Sequence, residues 1–139
     1  MSRSSVVLRF LAEPSTVNYG GKVHGGTAMK WIDEAAYACA SAWSGLYCVT
    51  ASVGNINFIN PISIGDLVEV EAKIISTGTS SMNIHVVVSS GKPTEEELVK
   101  TTECNIVMVA VNQYRKPTPV KPFTPEAQIN SKKLTEEAR

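Results

Sequence analysis

The sequence predicts an α+β fold in which an antiparallel β-sheet wraps around one long helix. A glycine-rich loop, residues 18–26, precedes a long stretch with helical periodicity, residues 27–43. The segments that follow, up to residue 111, alternate apolar and polar side chains as β-strands do. Such a sheet has one apolar face to cover, and one long helix is enough to cover it. We expect residues 1–112 to form one domain and residues 113–139 to form a proline-rich tail.

The N-terminal third supplies the first strand and the helix. Ser5–Leu11 is rich in valine and leucine, and Pro14 ends this strand. Five apolar residues then recur on one face of the predicted helix, and Gly45 follows in the position typical of a helix C-terminus. The apolar face comprises Ile32, Ala36, Cys39, Ala40 and Trp43.

Four strand segments fill the rest of the domain, separated by turn residues such as Asn60-Pro61, Gly78 and Gly91. Four of the seven prolines lie in the tail, which is expected to be extended at first. Thr124 and Pro125 then show the N-cap and first-position pattern of a short terminal helix. The four strand segments are residues 48–60, 66–78, 80–91 and 97–112.

Composition excludes several classes of partner. The chain has 13 basic and 13 acidic residues and a formal net charge of zero, which gives no electrostatic reason to expect nucleic acid or an anionic membrane. Its three cysteines have neither disulfide nor metal-ligand spacing and lie in apolar patterns, so we interpret them as reduced core thiols. No segment resembles a signal peptide or a membrane span. We expect a cytoplasmic protein without a metal or redox cofactor.

One carboxylate of the helix is a candidate for chemistry. On a helical wheel Asp33 lies roughly 40° from Met29, at the edge of the apolar face, whereas Glu34 lies about 140° away. A carboxylate at a buried edge costs free energy unless it is hydrogen-bonded or used. Asp33 is therefore either a functional acid about two turns from the glycine loop or a structural residue. The pattern leaves both interpretations open.

The loop before the helix offers main-chain donors. It places Gly20, Gly21, Gly25 and Gly26 around His24, and the helix then opens with unpaired N–H groups and its positive dipole end facing the loop, which suits an oxygen that gains negative charge. His24 beside them has either a packing role or a catalytic one. His85 alternates within a strand and is interpreted as a sheet residue. The common hydrolase, zinc, nucleotide and dinucleotide motifs are absent from the sequence.

The same residues carry a resemblance to a known family. Asn18, the run GGKVHGG, Met29, the run WIDEA ending at Ala35, and the later runs VTASVGNINFINPISIGD and STGTSSM resemble the hotdog-fold acyl-CoA thioesterases. The resemblance extends to about Val111. It implies a sheet wrapped around a long helix, two such units joined through their sheets, and assembly of dimers into hexamers. It also implies active sites at the dimer interface, with Asn18 from one subunit and the acid from the other.

By position, the resemblance assigns four catalytic residues. Asp33 would activate the attacking water or, alternatively, attack the thioester itself, and Asn18 would hold the water or the substrate carbonyl. The N–H groups of Gly25 and Gly26, with Thr27 after them, would stabilise the oxyanion. The implied function is hydrolysis of acyl-CoA to a free acid and coenzyme A.

The resemblance also implies contacts to coenzyme A, which is part of the substrate and not a cofactor. These fall in two stretches and the start of the tail, where Arg115 or Lys116 are candidates for binding phosphates. Two rival functions remain: a hotdog hydratase or dehydratase acting on acyl thioesters with His24 as base, and a non-catalytic acyl-CoA-binding protein. The predicted coenzyme A contacts are Ser52, Val53, Gly54, Thr79, Ser80, Ser81 and Lys116.

Overall fold

The computed structural model describes residues 3–125, and these form an antiparallel sheet wrapped around one long helix. The sheet has six strands in the order β1-β4-β5-β6-β2, with β3 pairing onto β6 beside β2. The predicted α+β architecture is confirmed. The elements are β1 Ser5–Leu11, a 3₁₀ turn Pro14–Thr16, α1 Gly25–Ser44, β2 Tyr47–Val53, β3 Asn57–Phe58, β4 Leu67–Thr77, β5 Ser81–Gly91 and β6 Val99–Val111.

The helix buries the face that the periodicity predicts. Ala35, Ala36, Cys39 and Ala40 are completely inaccessible to solvent, and their small side chains let α1 lie close to the sheet. Gly45 ends the helix in the left-handed conformation, with φ of 70°, and its N–H donates to the carbonyl of Ser41. The other buried helix residues are Ala28, Ile32 and Trp43.

The long strands supply the other half of the core. In β4, β5 and β6, alternate side chains point toward α1 and are buried, whereas the others face outward. One strand prediction was wrong: residues 48–60 form two strands, because the chain leaves the ladder at Gly54, whose N–H donates to the carbonyl of Asn105. The inward-facing core residues are Val68, Val70, Ala72, Ile74, Met82, Ile84, Val86, Val88, Cys104, Ile106, Met108 and Ala110.

The described part of the tail packs over the C-terminal end of α1. The indole Nε1 of Trp43 donates to the carbonyl of Lys121 at 3.0 Å, and the Phe123 ring packs edge-on against Trp43. The N–H of Val120 donates to the carbonyl of Thr79. The terminal helix predicted from Thr124 onward falls almost wholly in residues 126–139, outside the described residues.

Strand β2 forms one edge of the sheet and is unusually open. Every residue from Val49 to Val53 is exposed, and β6 is its one strand partner among the described residues. An exposed edge presents unpaired N–H and C=O groups, so it can accept another strand. Within residues 3–125, no helix has the length and apolar character needed to cross a membrane.

All three cysteines are free and buried, and burial raises the pKa of each thiol. The largest shift is that of Cys39, whose pKa rises from 9.0 to about 11 because desolvation penalises the thiolate. The folded protein therefore keeps a proton on Cys39 at pH values at which the unfolded chain loses it. Such thiols are poor nucleophiles.

We expect the free energy of unfolding to fall as pH rises from about 9 to about 11, because the Cys39 contribution is complete below the unfolded pKa and is lost as pH passes the folded pKa. The full contribution is about 2 to 3 kcal/mol. Denaturant unfolding across this pH range measures it. Cys39→Ala serves as control and should show a shallower decrease, because the contribution of Cys39 is absent in this variant; equal slopes would contradict the prediction.

Candidate active site

The start of α1 leaves two main-chain donors without an acceptor. The His24 carbonyl accepts the N–H groups of Thr27 at 3.0 Å and Ala28 at 3.1 Å, whereas within residues 3–125 the N–H groups of Gly25 and Gly26 have no hydrogen-bond acceptor. Both belong to the first helical turn, where the dipole favours negative charge. The N–H of Thr27, included in the sequence prediction, is instead used inside the helix.

His24 serves the fold through its backbone. It is the N-cap residue, with extended φ and ψ, and its N–H donates to the carbonyl of Thr16 at 2.9 Å. Its side chain is exposed and makes no capping hydrogen bond. Glycine at the next two positions keeps the approach to the donors open: a Cβ at Gly26 would meet nothing within 4 Å, and one at Gly25 would lie 3.4 Å from the Phe58 ring.

Asp33 lies at the side of α1 that faces strand β2. Its Oδ1 accepts a hydrogen bond from the Thr50 hydroxyl at 2.6 Å. The expectation that this carboxylate lies on a buried edge was wrong for the single chain, in which Asp33 is exposed. The reason is the reference chosen for the wheel: Met29 is 44% exposed, and the buried face centres nearer Ile32, about 100° from Asp33.

Thr50 is a site residue that the sequence prediction missed. Its hydroxyl lies between the carboxylate of Asp33 and the Met108 sulfur, which is 3.4 Å away. A signal was present, because Thr50 follows the buried Cys48 by two residues and so shares its inward face. A polar side chain at that position needs a hydrogen-bond partner, and Asp33 is that partner.

A cavity of about 340 Å³ lies between α1 and β2 and includes the Asp33 carboxylate. Glu34 also borders it, but the Glu34 side chain points to Lys30, 3.9 Å away, in an exposed ion pair. Asp33, and not Glu34, is therefore the carboxylate held by the strand. The cavity is lined by Asp33, Glu34, Tyr37, Tyr47, Cys48, Val49, Thr50 and Met108.

Asn18 organises the loop before the helix. Its Oδ1 accepts the N–H groups of Gly20 at 2.9 Å and Lys22 at 3.2 Å. Two N–H donors on one atom identify that atom as the amide oxygen, so the Nδ2 group is left to donate elsewhere. The loop is bridged to Ser63, whereas Asp33 faces β2. Among the described residues, no hydrogen bond joins Asn18 to Asp33.

The residues predicted to contact coenzyme A lie in separate places. Ser52, Val53 and Gly54 are exposed along the open edge. Thr79, Ser80 and Ser81 form the β4–β5 turn, where the carbonyls of Thr79 and Ser80 accept the N–H groups of Val120 and Ala110. The contacts of Thr77 and Thr79 with the tail place this turn near the C-terminal end of α1. Gly25 and Gly26 lie at the other end of a 20-residue helix, which is about 30 Å long.

The predicted phosphate-binding residues lie in a strained turn after β6. Arg115 has a φ of 60°, and the turn is held because Asn112 Oδ1 accepts the N–H groups of Tyr114 and Lys116. Lys116 itself is exposed. A cleft of about 690 Å³ beside this turn is lined by Tyr47, Tyr114 and Arg115, among other residues.

His85 is a sheet residue, as predicted. It lies on the outer face of β5, where its Nδ1 is hydrogen-bonded to Asn105 at 2.7 Å and its Nε2 is 3.5 Å from Glu103. In the part of the chain that the structure describes, His85 does not line the cavity beside Asp33. Among residues 3–125, no group of three histidine, cysteine, aspartate or glutamate side chains is arranged to hold a metal ion.

Unpaired helix N–H groups, an exposed carboxylate and an open edge strand thus occur together on this fold. The sequence profile described as "Thioesterase superfamily" matches residues 20–97, more than half of the chain. The chain belongs to the thioesterase superfamily, and the resemblance to hotdog-fold acyl-CoA thioesterases is confirmed.

Individual relatives support this membership. An uncharacterized acyl-CoA thioester hydrolase of Buchnera aphidicola is 34% identical over 125 residues, which cover 88% of this chain and 93% of the relative. The cytosolic acyl coenzyme A thioester hydrolase of Rattus norvegicus is 32% identical over 97% of this chain and 35% of its own length. The crystal structure of an apo-hexameric acyl-CoA thioesterase has a TM-score of 0.83 and 31% identity, covering 98% of this chain and 94% of that one.

Proposed function

We propose that the protein hydrolyses acyl-CoA thioesters to free carboxylic acids and coenzyme A. The observation that carries this proposal is the pair of unused N–H groups at Gly25 and Gly26, beside a helix that also carries a strand-held carboxylate. The names of the two curated relatives and of the hexameric structure support acyl-CoA as the substrate class.

The geometry of one helix argues that the site is shared between two chains. Gly26 and Asp33 are seven residues apart on α1, which separates them by about 10 Å along the helix axis. A general base must lie within about 3 Å of the proton it removes, directly or through one water. Asp33 therefore serves a thioester held at the Gly25 and Gly26 of a second subunit. The exposed edge of β2 offers the surface through which two sheets would join.

The proposed reaction uses water as the nucleophile. Asp33, oriented by Thr50, removes a proton from a water molecule, which attacks the thioester carbonyl carbon. The N–H groups of Gly25 and Gly26 stabilise the oxyanion, each by roughly 3 to 4 kcal/mol. The Nδ2 group of Asn18 positions the water or carbonyl. Collapse of the intermediate breaks the C–S bond, and the proton held by Asp33 passes to the leaving thiolate of coenzyme A.

The remaining assignments complete the proposal. Coenzyme A lies along Ser52–Gly54 of one chain and over Thr79–Ser81, with Arg115 or Lys116 near its phosphates. Arg115 supports this, because it lines a cleft of about 690 Å³ together with Tyr47 and Tyr114. No metal or redox cofactor takes part. The dimers form a trimer of dimers in the cytoplasm, an inference supported by the hexameric and cytosolic relatives.

Asp33→Asn should reduce release of free thiol from acyl-CoA by about 10²- to 10⁴-fold, because the amide cannot accept the proton from water. A thiol-trapping assay measures the rate, and circular dichroism checks the fold. Glu34→Gln is the matched control: it makes the same change at the next residue and removes only an exposed ion pair. Loss of activity in the Glu34 variant with retention in the Asp33 variant would contradict the assignment.

A shared site can be tested by complementation. Asn18→Asp keeps an oxygen acceptor for the loop N–H groups but removes the Nδ2 donor, so this variant should fold and be inactive, like Asp33→Asn. Co-assembled from the two variants, the protein should regain about a quarter of the wild-type rate, since half of the dimers are mixed and each has one intact site of two. Mixing Asp33→Asn with Asp33→Ala is the control without recovery. No recovery in either mixture would place Asn18 and Asp33 in one subunit's site.

Thr50→Val should lower kcat by about 10- to 100-fold, because it removes a hydrogen bond to a charged group that orients the base. Valine keeps the shape of threonine. Thr50→Ser keeps the hydroxyl and should retain most of the activity. If Thr50→Val instead keeps the wild-type kcat, the hydrogen bond to Asp33 does not contribute to the rate.

A further inference from the structure

A second cavity, of about 270 Å³, lies next to the unused helix donors. It is bounded by the first turn of α1, strand β3 and the loop that follows β3. Gly25 forms part of its wall, and so does Phe58, whose ring lies 3.4 Å from the position of a Cβ at Gly25. The space therefore begins at the residue whose N–H group would hold the thioester oxygen.

The lining of this cavity is mostly apolar and closed at its inner end. Ala28 and Ile62 are 3% and 4% exposed, and they form the inner wall together with Thr102. The outer wall is Phe58, which is 57% exposed. An apolar space of this kind suits a hydrocarbon and not a phosphate or sugar.

The wall that carries Phe58 is held in place by its own hydrogen bonds. The N–H groups of Ile59 and Asn60 both donate to the carbonyl of Thr101, and the Asn60 side chain donates to the carbonyl of Lys100 at 2.9 Å. Phe58 itself pairs with Thr102 in the sheet. The cavity is thus pre-formed, and its width is set by the side chains that line it.

We propose that this cavity receives the acyl chain and that Phe58 and Ala28 limit its length, an inference that rests on the proposed function. In a thioester the first carbon of the acyl chain is bonded to the carbonyl carbon, so a carbonyl held at Gly25 directs the chain into the adjoining apolar space. A cavity of about 270 Å³ that ends at the buried residues Ala28 and Ile62 accepts a chain of limited length. The preferred substrates are acyl groups of short to medium length.

Two substitutions change the cavity in opposite directions. Phe58→Ala removes the outer wall, whereas Ala28→Val adds bulk at the inner wall. In wild type, kcat/KM for saturated acyl-CoAs should rise with chain length to a medium-length maximum and then fall. Phe58→Ala should move the maximum to longer chains, with a roughly 10-fold or greater rise in the ratio of long-chain to medium-chain kcat/KM. Ala28→Val should move it to shorter chains.

Phe123→Ala is the matched control. It deletes the same ring at the other end of α1, where Phe123 packs on Trp43, and should leave the chain-length profile unchanged. Active Phe58→Ala and Ala28→Val variants with the wild-type profile would overturn this inference and leave the proposed function intact. If only one of the two variants folds, the chain-length profile of that variant is enough to test the inference. Wild-type protein that releases thiol from none of the acyl-CoAs would overturn the proposed function and this inference with it.

Discussion

The close packing of α1 against the sheet is the constraint on which the other features depend. Alanine and cysteine at the buried face let the helix lie directly on the inward residues of β4, β5 and β6. Because the sheet curves around the helix, the first turn of α1 meets β3 and its middle meets β2. The Asp33–Thr50 pair and the cavities beside Asp33 and beside Gly25 follow from this one placement.

The architecture was predictable because it rests on local periodicity. A run with a 3.6-residue period and strands with a two-residue period identify the helix, the strands and nearly all of the core. The break between β2 and β3 was not predictable in this way. The break is accompanied by a main-chain hydrogen bond from Gly54 to Asn105, which is 51 residues away. The strand propensity of neighbouring residues contains no information about such a distant contact.

The candidate site was predictable only in part. The glycine loop and the helix start identify the donors, because unpaired N–H groups are a property of any helix N-terminus. The orientation of Asp33 was predicted wrongly, because a helical wheel gives the angles between side chains but does not show where the sheet ends. Thr50 was missed because the contact between β2 and the helix exists only in the folded structure. Asn18 illustrates a further limit: sequence resemblance implied a role toward substrate, but its oxygen also holds the loop that contains Gly20 and Lys22.

Strand β6 is the pairing partner of β5, β2 and β3, yet it is the last strand within residues 3–125. During synthesis on the ribosome, β2 and β3 therefore have no strand to pair with until residues 99–111 have left the exit tunnel. Until then the apolar helix face and two short strands stay in an incomplete state that is prone to aggregate. Completion of the sheet during synthesis consequently waits for the C-terminal third of the chain, and slow translation of that stretch would prolong the exposure of the apolar helix face.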